Sequence, residues 1–344
     1  MRKANKEAIE ISRLINNFLL NYAPTHITDS RNTLHSYEIT ISLYLTFLEE
    51  EKAVSCESLC AHHFEREIIE AWIEWLTVTR ECCPSTCNVR LGALRTFLNY
   101  LGNRTPAYMY LHNEATTVPI KKVPKKKING LSKAAVKALL SVPDTTTLTG
   151  IRDLVLMLVL YSTAARIDEV LSIQIKHIFL KTSKPYINII GKGNKARTLT
   201  LLPKVVTYIE KYLRICHECD SDPEAYLFYS KIKGPHVKLT QPAVDKRLKA
   251  IAATARNTCS EVPVRLHAHQ FRHAKATHWL EDGINIVQIS FLLGHENVET
   301  TMKYLDITLD SERKALQTLE NESERKIKPK WKSANKSLKS FCGI

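Results

Sequence analysis

Thirteen residues, Val118-Pro-Ile-Lys-Lys-Val-Pro-Lys-Lys-Lys-Ile-Asn-Gly130, interrupt a chain that is otherwise patterned for helices and a few strands. The two prolines lack a backbone donor and fix φ, and the five lysines repel one another, so the stretch reads as an extended cationic linker. No helix or strand continues through it, so each side must fold around its own core. At 344 residues the chain also exceeds the length over which a single core keeps growing, and 44% apolar residues can fill two. The expected organisation is a helical domain over residues 1–117, the linker over 118–130, a second domain over 131–312, and a C-terminal helix with a basic tail over 313–344.

The side before the linker is helical in pattern. Leu34, Tyr37, Ile41, Tyr44, Leu45 and Leu48 recur at three- and four-residue intervals, as do Ile68, Trp72, Trp75 and Leu76. A third helix is expected after Pro84, with Ser85 placed to cap it and Leu94, Phe97, Leu98 and Leu101 facing a core. Beyond the linker, 132–140 and 150–165 read as helices, the second apolar nearly all round and therefore buried. Residues 186–190 and 197–201 read as strands joined through Gly191-Lys-Gly-Asn-Lys195, whose glycines and asparagine tolerate positive φ. Helices resume over 204–213, 241–255 and from Phe271 onward, with Gly283 and Gly294 as stops. The fold class is mainly α with a small antiparallel β-hairpin, an α+β second domain following a helical bundle.

Charge narrows the partner. Lys and Arg outnumber Asp and Glu by 49 to 35, a net charge of +14 that favours a polyanion, nucleic acid before an anionic membrane. The longest wholly apolar run, Leu154 to Tyr161, has eight residues, far short of a span. Met1 to Leu14 lacks the continuous apolar segment of a signal peptide, which points to a cytoplasmic protein. Nine cysteines in such a chain argue against a disulfide framework. Only Cys216 and Cys219 have a tight zinc-type spacing and no second pair lies nearby, so reduced thiols and no metal are expected.

The chemistry is concentrated between Leu266 and Tyr304, where 39 residues hold His269, Arg272, His295 and Tyr304. Breaking a phosphodiester without a metal requires a nucleophile, donors for the non-bridging oxygens, a proton donor for the leaving oxygen, and a group to manage the nucleophile's proton. Arg166 and Arg272 suit the oxygens, because a planar guanidinium fork binds two at once and keeps its charge. Lys192, at the hairpin tip, suits the leaving oxygen. His269 and His295 titrate near neutrality and can donate to phosphate or accept from a phenol. Tyr304 would be the nucleophile, conserving the bond energy in a phosphotyrosine so that no cofactor is needed. Plainer readings exist for each. Arg166 could pair with Glu169 at i,i+3, Lys192 could be a solvated turn lysine, His269 and His273 could be a surface face one turn apart, and Tyr304 could be core. Their joint presence outweighs these.

That set resembles the tyrosine recombinase, or phage integrase, family. Thr163-Ala-Ala-Arg-Ile-Asp-Glu-Val170 resembles its first arginine box, Gly191-Lys-Gly-Asn-Lys-Ala-Arg197 its lysine hairpin, and His269-Gln-Phe-Arg-His273 its His-x-x-Arg-His box. Leu292-Leu-Gly-His295, followed by Thr300-Thr301 and Tyr304, resembles its final box and nucleophile. The likeness covers about residues 130 to 310, and the helix from Thr86 to Leu98 is similar to the family's amino-terminal DNA-clasping domain. It implies a catalytic set of Arg166, Lys192, His269, Arg272 and His295 with Tyr304 as nucleophile. Two departures are Ala164, where a glycine is usual, and Phe271, where a leucine is common.

The resemblance further implies an integrase or recombinase that clamps double-stranded DNA between two domains and acts as a homotetramer on paired sites, with accessory proteins possible in the nucleoid. Lys121, Lys122, Lys125, Lys126 and Lys127 would meet phosphates, as would Asn88 and Arg95, seven residues apart on one helix face. Apolar positions from Ile307 to Leu319 would dock on a neighbouring protomer or on the chain's own domain. The competing readings are a catalytically silent DNA-binding protein of the same fold, a type IB topoisomerase-like enzyme, and a metal-dependent nuclease. A mobile-element recombinase is the preferred role.

Overall fold

The computed structural model describes residues 5–124, 130–191, 195–217, 222–295, 297–302 and 304. Lys125, Lys126, Lys127, Lys192 and the segment 313–344 lie outside them. The chain divides into two compact units, Met1–Lys126 and Lys127–Ile344.

Among its described residues the first unit has five α-helices, α1 (Lys6–Asn17), α2 (Arg31–Lys52), α3 (Arg66–Val78), α4 (Pro84–Arg104) and α5 (Met109–Thr117), with π- and 3-10-helical segments between them. Asn5 and Ser30 cap α1 and α2 through their side chains. At α4 the helix takes in Pro84 itself, with Cys83 at the N-cap, so Ser85 lies in the first turn and does not cap it. A first-turn proline costs no hydrogen bond, because that N–H has no intrahelical partner anyway. Between α1 and α2 the chain widens into a π-helical segment, Phe18–Ile27, containing Pro24. The core is rich in aromatic rings. Tyr44 packs edge-on to Trp72 at 4.9 Å and Phe18 edge-on to Phe97 at 5.4 Å, and all four are buried.

The second unit is built on α7 (Leu148–Thr163), which packs against α9 (Pro203–Cys216) and α11 (Ala268–Glu281). Ile151 and the whole run Leu154 to Leu160 are buried, as the all-round apolar pattern requires. Helix α6 (Lys133–Ser141), capped by Ser132, and α10 (Gln241–Ala255) complete the main core. Beside them, β1 (Ile178–Phe179), β2 (Tyr186–Ile190) and β3 (Ala196–Thr200) form an antiparallel sheet with Ile190 opposite Ala196, and β4 (Tyr229–Ser230) pairs with β5 (Gly234–Lys238). Short helices α8 (Ile167–Leu171), α12 (Ile286–Leu293) and α13 (Glu299–Met302) carry the ends of the motifs. Gly283 and Gly294 both have positive φ, at 82° and 65°, and Gly294 is the C-cap of α12. Among the described residues no helix is long and apolar enough to cross a membrane.

Candidate active site

Arg166 owes its position to an abrupt turn. Helix α7 stops at Thr163, whose Oγ1 accepts from the Ala165 amide at 3.2 Å, and Ala164 adopts a left-handed conformation with φ 50°. An alanine there carries strain of about 1 kcal/mol that a glycine would not. Arg166 then caps α8, and its backbone N–H donates to Glu169 Oε2 at 2.8 Å while its Nη1 donates to Oε1 at 3.1 Å. The i,i+3 pair and the cleft-facing arginine are therefore both present, because the side chain stays 45% exposed while Glu169 is 8% exposed.

Burial pushes the Glu169 carboxyl up, but hydrogen bonds from Arg197 and from the Arg166 amide outweigh it and hold its pKa below the ordinary 4.5. A depressed carboxyl contributes stability that is present above its unfolded pKa and lost as pH falls through its native one. The melting temperature of Glu169→Gln should therefore lie below that of the parent by a constant margin near neutrality. That margin should shrink on acidification below pH 4.5. A margin independent of pH would mean that the carboxylate is not held ionised.

Arg272 is the most enclosed charge, 1% exposed on α11. Its Nη1 donates to Ala164 O at 2.8 Å and its Nη2 to Leu293 O at 2.9 Å, so the guanidinium ties the end of α7 to the end of α12. Burial, then repulsion from Arg166, lowers its pKa to about 10, and it remains a cation at neutral pH. His269, one turn earlier on α11, stacks edge-on with His273 at 4.3 Å. His295, just past Gly294, shares a 2.7 Å hydrogen bond with Thr301 Oγ1 through Nδ1.

Tyr304 is fully buried among Ala164, Ala276, Ile289 and Leu293. Its hydroxyl shares a 2.8 Å hydrogen bond with His273 Nδ1. Burial pushes the phenol pKa up to about 12 against the pull of Arg272 and Arg166. A cleft of about 1020 Å³ is lined by Arg166, Glu169, Arg197, His269, Arg272 and His295, among others. Four of the six expected catalytic residues thus meet in one cavity, with Tyr304 packed against the same turn. Lys192 lies outside the described residues, though Gly191 and Lys195 on either side of it also line the cleft.

A family model described as the phage integrase family matches residues 129–310, more than half of the chain. The chain belongs to that family, the tyrosine-type site-specific recombinases. It is 27% identical over 303 residues to the tyrosine recombinase XerC of Chlamydia caviae, covering 84% of this chain and 93% of the relative. Against the tyrosine recombinase XerD of Listeria monocytogenes serotype 4b it is 28% identical over 283 residues, with 81% and 89% coverage. In fold it is similar to the XerH site-specific recombinase bound to a palindromic difH substrate, with a TM-score of 0.69, 17% identity, and 93% and 99% coverage. The Tn1549 transposon integrase in complex with transposon right end DNA gives a TM-score of 0.65 at 13% identity, with 89% and 99% coverage.

Three groups in or next to this recombinase's cleft, His273, Arg197 and Glu169, are not marked as functional by residue type and spacing alone. His273 and Arg197 lie inside the His-x-x-Arg-His and lysine-hairpin boxes, but their partners, Tyr304 and Glu169, are set by the fold. By spacing alone, Glu169 is only an i,i+3 salt-bridge partner for Arg166. In the first unit, Asn88 and Arg95 turn their polar groups to the recombinase's own backbone. Asn88 Nδ2 donates to Lys121 O at 2.8 Å and its Oδ1 accepts from Lys121 N at 2.9 Å. Arg95 donates to Ala115 O at 2.9 Å and Val118 O at 2.6 Å. A carboxamide matches a peptide's donor and acceptor, and an arginine beside a helix C-terminus finds its unpaired carbonyls. Lys121 Nζ donates to Thr77 Oγ1 at 2.7 Å, and Lys122 is exposed.

Proposed function

We propose that this recombinase cuts and rejoins specific sites in double-stranded DNA through a covalent bond to Tyr304, without metal or nucleotide. The observation that supports this reading is the meeting of Arg166, Arg272, His269 and His295 in one cleft, with Tyr304 buried against Ala164 and Leu293, whose carbonyls Arg272 binds. In the step proposed, Tyr304 Oη attacks the scissile phosphorus, the phosphorus–sugar oxygen bond breaks, and the sugar oxygen leaves with a proton from Lys192. Arg166 and Arg272 neutralise the non-bridging oxygens, and His269 and His295 donate to them. His273, already bonded to the phenol, is placed to take its proton. Attack by a sugar hydroxyl on the phosphotyrosine reverses every change and joins strands.

The DNA complexes of the similarly folded XerH recombinase and Tn1549 integrase support duplex DNA as the partner. On this reading residues 1–117 clasp the duplex, 118–130 cross its backbone, and 131–312 cleave it. Four protomers would act on two paired sites, with accessory proteins possible, in the cytoplasm at the nucleoid. On this reading the recombinase belongs to a mobile element. Lys122, Lys125, Lys126 and Lys127 would contact phosphates, while Asn88 and Arg95 fix where that segment starts. Changing the four lysines to Gln should flatten the logarithmic salt dependence of duplex binding by about 3 to 4, near 0.9 for each phosphate that is no longer neutralised. An unchanged slope would remove the linker from the DNA interface.

The reading is tested by incubating the protein with a pool of nicked, randomised suicide duplexes and isolating adducts that survive denaturant. Peptide mapping should place the DNA on Tyr304, and sequencing the recovered strands should yield the target site. An adduct on another residue would overturn the assignment, and chelator-sensitive free ends would favour a metal-dependent nuclease.

A further inference from the structure

Each oxygen of Glu169 accepts from two arginines. Oε1 takes Arg166 Nη1 at 3.1 Å and Arg197 Nη1 at 3.4 Å, and Oε2 takes the Arg166 amide at 2.8 Å and Arg197 Nη2 at 2.6 Å. The two cations are not equivalent, because the Arg166 side chain is 45% exposed to the cleft and that of Arg197 only 8%. The Nε of Arg197 is buried without a hydrogen bond. Its guanidinium therefore sits where the fork to Glu169 puts it, at the expense of one unsatisfied donor. The same guanidinium presses on the turn before His295. A Cβ on Gly294 would lie 2.9 Å from Arg197 Nη1, so the glycine serves both its left-handed φ and the arginine's approach.

We propose that Arg197 is a positioning residue for strand cleavage, which locks Glu169 so that the carboxylate aims Arg166 and which braces the Gly294 turn that presents His295. This rests on the recombinase reading of the cleft. The step needs a planar fork. A lysine would keep the charge but offer one point donor where two carboxylate oxygens and a close flat contact must be served. Helix α8, strand β3 and the α12 turn are thus registered to one another by a single side chain that does not itself have to touch DNA.

The test uses the full chain, the nicked duplex recovered by trapping, and single-turnover cleavage at saturating protein. Arg197→Lys should melt cooperatively and bind that duplex within about twofold of the parent, yet form the Tyr304 adduct at least about tenfold more slowly. Glu169→Gln should behave in the same way, and Arg197→Lys combined with Glu169→Gln should be no slower than the worse single variant, because the pair acts as one unit. Should Arg197→Lys lack a cooperative melt, Arg197→Gln with Glu169→Gln removes both charges together and carries the same expectation. Cleavage at the parental rate, losses that multiply, or a slower rate accounted for by weaker DNA binding would each overturn the proposal. A parent chain that forms no Tyr304 adduct would instead overturn the reading beneath it.

Discussion

Tyr304→Phe is expected to bind target DNA with parental affinity and form no covalent adduct, a loss of about 10⁴-fold or more in cleavage. The substitution removes one oxygen and leaves the ring, which packs among Ala164, Ala276, Ile289 and Leu293. What stability changes comes from the lost bond to His273 Nδ1, about 1 kcal/mol. Activity and stability should therefore separate cleanly, as read by denaturant-resistant adducts and thermal melts of the same preparation. An adduct of undiminished yield would mean that another side chain attacks the phosphorus. The phenol is protonated across the neutral range, and burial, which pushes its pKa up to about 12, makes its proton harder still to remove. Reaction requires DNA entry to change those surroundings or a base to take the proton, and His273 is already in contact.

Arg272→Ala should lose both cleavage and stability. Its two bonds to Ala164 O and Leu293 O join α7 to α12, and truncation strands both carbonyls in an interior where the side chain is 1% exposed. An unsatisfied buried acceptor costs about 1–3 kcal/mol, so the pair together with the vacated volume should amount to roughly 3–6 kcal/mol. For a unit of this size that corresponds to a fall in melting temperature on the order of 10 °C. Arg272→Lys should recover part of the charge but not the span between carbonyls. A melt indistinguishable from the parent would show that these two bonds do not hold the helices together.

Much of this arrangement can be read from the residues alone, and the exceptions have physical causes. The helices around Tyr44, Trp72 and Phe97 announce themselves by apolar recurrence, and the 186–201 hairpin by glycines and asparagine between alternating runs. The α4 start is displaced from Ser85 to Pro84, because a first-turn proline competes successfully with a capping serine. The π-helical segment at Phe18–Ile27 has no periodic signature distinct from an α-helix and contains a proline that suggests a loop. At the site, the meeting of Arg166, His269, Arg272 and His295 in one cleft is what their residue types and spacing lead one to expect. Arg197 and His273 are not marked in that way, since a residue that acts through another leaves its mark in a distance and not in a spacing. Ala164 combines both cases. The sequence marks it as standing where a glycine is usual, and only the backbone reveals that its left-handed turn aims a carbonyl at Arg272.

The clasp that Arg272 makes between two distant helix ends also bears on when, during synthesis, the cleft can form. Tyr304 follows Arg166 by 138 residues, an interval that takes on the order of ten seconds to translate. Leu293 O, the second anchor of the arginine, emerges only near the end of that interval. A nascent chain therefore carries Arg166 through most of that interval without Arg272 and the Leu293 carbonyl, the clasp that ties α7 to α12.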